Sequence, residues 1–322
     1  MIDQCTAQRA LRKALLSVSS LAAIAVASGP AAAWADSTPV TQCGQELGQA
    51  GDYHLAHDVG PCTGHGVVIT ASNVRFTLAG HTLSGVSSPA SCDNPQIGID
   101  MRSPATGVHV SGGTVTGFVD GISMSADSRV TGMRVVDNCF WGVIVTGAGQ
   151  VDASVVSGSG NDGIALCGAH DALVTANEVV GSARYGISIS CIADGTDRNH
   201  VERNILRDNG APGGGGIAVF GGDDHTIVGN AASGNWLGIY LLTTTGSTVS
   251  DNTVNLNRDG GIVLTDGAHG TIARANTAFH NGRVDLQDDN PGCGTNEWAE
   301  NFFLTDTVAG SPNGGPTVPC IQ

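Results

Sequence analysis

Asp223, Asp224 and His225 stand together in the stretch "FGGDDH", directly after Phe220 and two glycines. Similar groups recur along the chain: His170 with Asp171, then Asp194, Asp197 and His200, then Asp266 with His269. Neighbouring carboxylates raise one another's pKa and divide into an acid and a base, as general acid–base catalysis requires. The same oxygens suit a hard cation such as calcium. The competing explanation is turn chemistry, in which Asp and His cap backbone groups at corners and stay solvated. Asp223, Asp224, His225, Asp197 and His200 are therefore the candidate catalytic residues, and calcium the candidate cofactor. Tyr240 points outward from the next strand if alternation holds, and Arg184 and Trp236 each stand two residues before a Gly-Ile pair. An aromatic platform beside paired acids suits a sugar: the apolar ring face stacks while the acids handle the glycosidic oxygen.

Something must bring groups so far apart in sequence to one edge. Gly-Ile or Gly-Val pairs open apolar strands at Gly98, Gly121, Gly142, Gly163, Gly186, Gly216, Gly238 and Gly261, and "GRVDLQD" from Gly282 is a degenerate copy. A period near 22 residues is the signature of a solenoid. "GIALC", "GISIS", "GIAVF" and "GIYLL" alternate as strands do, and Gly, Asn, Ser and Thr supply the corners. One such repeat cannot bury its own inward face, so stacking must do it. Asn204/Asn209, Asn230/Asn235, Asn252/Asn257 and Asn276/Asn281 keep one offset in successive repeats, with Asn177, Ser182 and Asn138 as weaker extensions. Coils stacked at about 4.8 Å place each amide over the next. An amide both donates and accepts, so each column forms a structural ladder.

The Gly-Ile-x-apolar strand followed by paired Asn corners resembles right-handed parallel β-helix repeat proteins of the pectate-lyase-like superfamily, over residues 67–285. The resemblance implies an all-β fold: a right-handed parallel β-helix of about ten coils, with Asn ladders and disulfide-tied ends. Residues 36–61 are expected as an N-terminal cap, 62–290 as coils and 291–322 as a C-terminal segment of one domain. Polygalacturonase-like members carry an Asp-Asp before a Gly-His-Gly. Here Gly64–Gly66 precedes Asp223–Asp224, in the reverse order, and the Asp-Pro-His of epimerase-like members is absent. Pectate lyases use acidic calcium ligands and an arginine base, a part for which Arg184, Arg198 and Arg203 are available. β-Helix accessory proteins of copper delivery offer a non-catalytic comparison, with His54, His57, His65 and His81 the histidines to weigh.

Arg9, Arg12 and Lys13 precede the apolar run 14–27, and Ala33-Trp34-Ala35 fits a cleavage site, so 1–35 reads as a signal peptide. The apolar run is shorter than the roughly 20 residues a membrane span needs. Removing three bases and one acid takes the formal charge from −15 to −17 and removes the sole lysine. Such a surface repels phosphate backbones, and long anionic polysaccharides unless cations bridge them. The eight remaining cysteines, Cys43, Cys62, Cys92, Cys139, Cys167, Cys191, Cys293 and Cys320, read as disulfides of an exported chain. Position suggests Cys43–Cys62, Cys293–Cys320 and Cys167–Cys191, leaving Cys92 with Cys139. The expectation is a secreted monomer that recognises extracellular or cell-wall carbohydrate, with cleavage as a hydrolase or lyase left open. The alternative is a non-catalytic solenoid for a protein partner or a metal.

Overall fold

The computed structural model describes residues 37–88, 90–92, 96–189, 196–265, 267–308 and 320–321. The expected signal segment and Cys191, Asp194 and Asp266 lie outside them. Twelve strands stack in parallel from Gln45–Leu47 to Asp306–Val308 and form the first face, which carries the Gly-Ile strands. The other strands form a second and a third face, joined in one 21-stranded sheet. Leu173–Thr175, His200–Glu202 and Thr226–Val228 illustrate the second face, and Glu178–Val180, Ile205–Arg207 and Ala231–Ser233 the third. Parallel pairing already begins with Thr38–Val40 on Gly51–Leu55 and continues to Phe302–Phe303, so segments expected as caps carry coil strands. The one helical turn among the described residues is Pro291–Cys293.

Stacking supplies the core. Ile164, Ile187, Ile217, Ile239 and Ile262 pair in register, all fully buried. Burying each such side chain contributes about 1.5–3 kcal/mol. The glycine before each isoleucine also faces inward. A Cβ on Gly186, Gly216 or Gly238 would stand 3.0 Å or less from the ladder amide of Asn209, Asn235 or Asn257. The Gly-Ile signature thus exists because the ladder passes beside it.

Both expected ladders form. Asn204 Nδ2 donates to Val174 O (2.9 Å) and to Asn230 Oδ1 (3.0 Å), and its backbone N–H donates to the same Oδ1 (2.9 Å). The pattern repeats through Asn252, Asn276 and Asn301 and, at the next corner, through Asn209, Asn235, Asn257 and Asn281. One Nδ2 hydrogen points back to a carbonyl of the preceding coil, while the backbone N–H and the other Nδ2 hydrogen point toward the C-terminal end, so the last rung must accept both. Asp285 does this: it takes both Asn281 donors on one oxygen, and on the other the Leu304 and Thr305 amides and the Thr305 hydroxyl.

A third ladder occupies the corner between the first and second faces. Ala172 N–H donates to Asn199 Oδ1 (3.0 Å), Asn199 N–H to His225 Nδ1 (3.3 Å) and Thr271 N–H to Asn296 Oδ1 (3.0 Å). Disulfides Cys43–Cys62, Cys92–Cys139 and Cys293–Cys320 form as expected, at Cα separations of 5.6, 5.7 and 6.1 Å.

Candidate functional site

The acids after the Gly-Ile strands do share one edge, but they build its corner. Asp171, Arg198, Asp224, Gly246 and Gly270 hold positive φ on successive coils, a conformation that Asp tolerates better than most residues. Arg198 donates bidentately to Asp171 at 2.9 Å, and its hydrogen bonds hold that carboxyl below the usual range. Asp197 Oδ1 accepts the Asp223 amide at 3.0 Å, leaving Asp223 and Asp224 exposed. His200 sits on the second face, with Nε2 3.0 Å from Glu202. No hydrogen bond or ion pair among the described residues joins these groups to Tyr240, Arg184 or Trp236.

His225 is the third-ladder rung and is fully buried. Nδ1 accepts from Asn199 N–H, while Nε2 donates to Gly221 O at 3.2 Å. Both ring nitrogens are thereby committed, and an imidazolium would set a second donor against the Asn199 amide. Burial pushes its pKa below the ordinary 6.5, although Gly221 and the Asp197, Asp223 and Asp224 carboxylates pull upward. With the folded value depressed, its contribution to stability is complete above about 6.5 and is lost as pH falls through the folded value. His225→Asn restores the amide that Asn199 and Asn296 carry. In thermal melts from pH 7.5 to 4.5, this variant loses less stability on acidification than the parent.

A different set of side chains converges at the start of the first face. The residue before each glycine forms an outward file that reads Asp120, Trp141, Asp162 and Tyr185 on four successive coils. The two acids cap the coil above: Trp141 N–H donates to Asp120 Oδ1 (3.3 Å), and Tyr185 N–H to Asp162 Oδ1 (3.2 Å). Around Asp162 lies a cleft of about 260 Å³ lined by Phe140, Trp141, Asn161, Arg184, Ser188 and Phe220. Ser188 Oγ donates to Asp162 Oδ2 at 2.8 Å.

Aromatic rings form the walls. Phe140, 39 % exposed, meets Trp141 edge-on at 4.5 Å. Tyr185, Phe220 and Tyr240 run as a chain of T-shaped contacts, 5.3 and 6.0 Å between centroids. The Arg184 guanidinium lies 4.9 Å from the Tyr185 ring centroid. The run Gly213–Gly216 gives Tyr185 room: its hydroxyl donates to Gly213 O (3.0 Å), and a Cβ on Gly214 would strike the Arg184 carbonyl. Of the sequence-derived binding residues, Arg184 lines the cleft and Tyr240 joins the aromatic chain. Trp236 occupies the position equivalent to Arg184, beyond the intervening Gly214 coil, and does not line the cleft.

Burial raises Asp162, 4 % exposed, above the usual carboxyl range. The Ser188 hydroxyl, the Arg184 charge, the Tyr185 amide and a weak pull from the Trp141 indole offset this in part. Burial raises Asp120 too, with only the Trp141 amide opposing. The Trp141 indole nitrogen is buried beside Asp162, so the cleft offers a cation and a carboxyl held toward its neutral form. Among the described residues no group of three or more His, Cys, Asp or Glu side chains stands together as a metal site. No helix among them is long and apolar enough to cross a membrane.

Sequence reasoning passed over Asp120, Trp141, Asp162 and Ser188. Aligning repeats on the glycine and reading the preceding position would have found the first three.

Comparison with known proteins places this architecture. The model described as "Right handed beta helix region" matches residues 141–304, just over half of the chain. No curated protein sequence matches. Among solved structures, the A-module of the mannuronan C-5 epimerase AlgE4 from Azotobacter vinelandii aligns with TM-score 0.62 and 12% identity, over 86% of this chain and 88% of that one. An exopolygalacturonase from Thermotoga maritima aligns with TM-score 0.54 and 10% identity, over 85% and 84%. The Dettilon tailspike protein gives TM-score 0.54 and 16% identity over 83% of this chain, which spans only 53% of the tailspike. At these identities the likeness is one of fold. With most of its matched residues in coils of three stacked strands, the chain belongs to the right-handed β-helix family.

Proposed function

We propose that this protein binds a polymer of neutral sugars along its first face and hydrolyses it in the cleft around Asp162. One observation carries the reading: acids and aromatic rings alternate in a single outward file, so that a carboxyl held toward its protonated form lies between ring-bearing coils. That is the pairing of platform and proton donor that a glycosidic bond requires. Asp120 and Asp162 are two coils apart, about 9.6 Å at the usual strand spacing. Such a separation leaves room for a water between them, one carboxyl protonating the leaving oxygen and the other activating the water.

The solved relatives named as an epimerase and an exopolygalacturonase are polysaccharide-acting enzymes, which favours carbohydrate over other ligands. The formal charge of −15 favours neutral over anionic chains. In this reading Asp197, Asp223 and Asp224 form a rim beyond Phe220 that a distal sugar would meet. Three disulfides suit a site outside the reducing cytosol.

The test incubates the secreted protein with neutral and uronate-containing polysaccharides, with and without calcium. Release of reducing ends from a neutral polymer without unsaturated product is expected. Unsaturated product would make it a lyase, and the absence of both binding and product across the panel would remove the reading.

A further inference from the structure

Asp120 and Asp162 share more than a file. Each stands before an inward glycine, and each accepts the backbone N–H two coils' geometry away from the other, on the coil directly above itself. Their surroundings differ, and one of the differences is a hydroxyl. Two residues past the glycine, the coil after Asp162 carries Ser188, whereas the coil after Asp120 carries Ile144, which has no side-chain donor. Ser188 is buried on the outward side of its strand, and its hydroxyl reaches Asp162 Oδ2 at 2.8 Å. The groups that act on Asp162 are the Tyr185 amide, the Ser188 hydroxyl, the Arg184 guanidinium and the Trp141 indole; on Asp120, the Trp141 amide alone.

We infer that Ser188 is a positioning residue: its buried hydroxyl, together with the Tyr185 amide, fixes the orientation of the Asp162 carboxyl in the cleft. This rests on the hydrolytic reading for its meaning, though not for its test. A hydroxyl donated to one carboxylate oxygen favours the ionised form, and an amide on the other oxygen fixes the plane. Asp162 therefore presents its carboxyl to the cleft in one orientation, with a donor on each oxygen.

The test is a carboxyl-carbon NMR titration of the full chain with labelled aspartate and no saccharide present, the two signals assigned with Asp120→Asn and Asp162→Asn. Ser188→Ala should move the Asp162 midpoint upward by on the order of one unit and leave Asp120 in place, while Ser188→Thr, which keeps the hydroxyl, restores it. If Ser188→Ala leaves Asp162 unmoved or shifts both signals together, the assignment is overturned. A shift as expected in a protein that cleaves no glycan supports the positioning role and removes only the hydrolytic reading. In a protein that does cleave, Ser188→Ala also moves upward the limb of the kcat/KM profile that Asp162 controls.

Discussion

Asn230→Ala lowers the stability of the solenoid by on the order of 4 kcal/mol, the largest structural effect expected of any single substitution on an outer corner. The residue is almost fully buried and sits mid-ladder. Its Oδ1 accepts from the Asn204 N–H and Nδ2, and its own Nδ2 donates to Val201 O and Asn252 Oδ1, all within 2.9–3.1 Å. Truncation removes a partner from four buried groups at once, and each group left unsatisfied costs about 1–3 kcal/mol. Partial relaxation keeps the total below the simple sum. Asn230→Asp should be worse at neutral pH, because it loses both donations and places a buried charge against the Asn252 oxygen. Thr253→Ala, on an exposed position of the next coil, should stay within about 0.5 kcal/mol. Thermal melts of the three variants decide the matter: equal losses for Asn230→Ala and Thr253→Ala would mean that the ladder contributes nothing.

Asp162→Asn reduces saccharide turnover by about 10²- to 10⁴-fold, the usual contribution of one acid–base group, and leaves saccharide binding near the parental value. The amide keeps the side chain's shape and can still accept from Tyr185 N–H, so the loss falls on kcat rather than on folding. Stability changes in the opposite direction. The folded pKa of Asp162 is raised, so its favourable contribution belongs to the protonated form and is lost as pH rises through the folded value. The variant has no such loss. It should melt above the parent at neutral pH and converge with it in acid. A variant that is both inactive and less stable at neutral pH would instead indicate a structural carboxylate.

The architecture was legible because stacking forces equivalent positions to agree. Glycine is required wherever the first face passes a ladder amide, and Asn wherever a corner must link two backbone groups and the next amide, so both recur at fixed offsets. The same offset of five runs one step further back than sequence reading took it. Asn199, His225, Ser247, Thr271 and Asn296 precede the ladder pairs and form the third corner. His225 was hidden among acids that suggested catalysis, yet its two backbone bonds define it.

The site was less legible for a related reason. Asp223 and Asp224 attract attention as neighbours in sequence, but successive residues in a tight corner point apart, and the αL conformation at Asp224 explains an acid there without function. Asp120 and Asp162 lie 42 positions apart, each alone in its repeat, and become one site only through two coil steps. Nothing in local composition marks them. Only the fold makes Arg184, Ser188 and the rings of Phe140 and Phe220 neighbours of Asp162.

The most direct test of the account is a crystal structure of Asp162→Asn with an oligosaccharide of the polymer that the parent cleaves. Sugar rings packed on Phe140, Trp141 and Phe220, with a glycosidic oxygen toward residue 162, are predicted. An oligosaccharide seated instead at the Asp223–Asp224 corner, or on the second or third face, would contradict it.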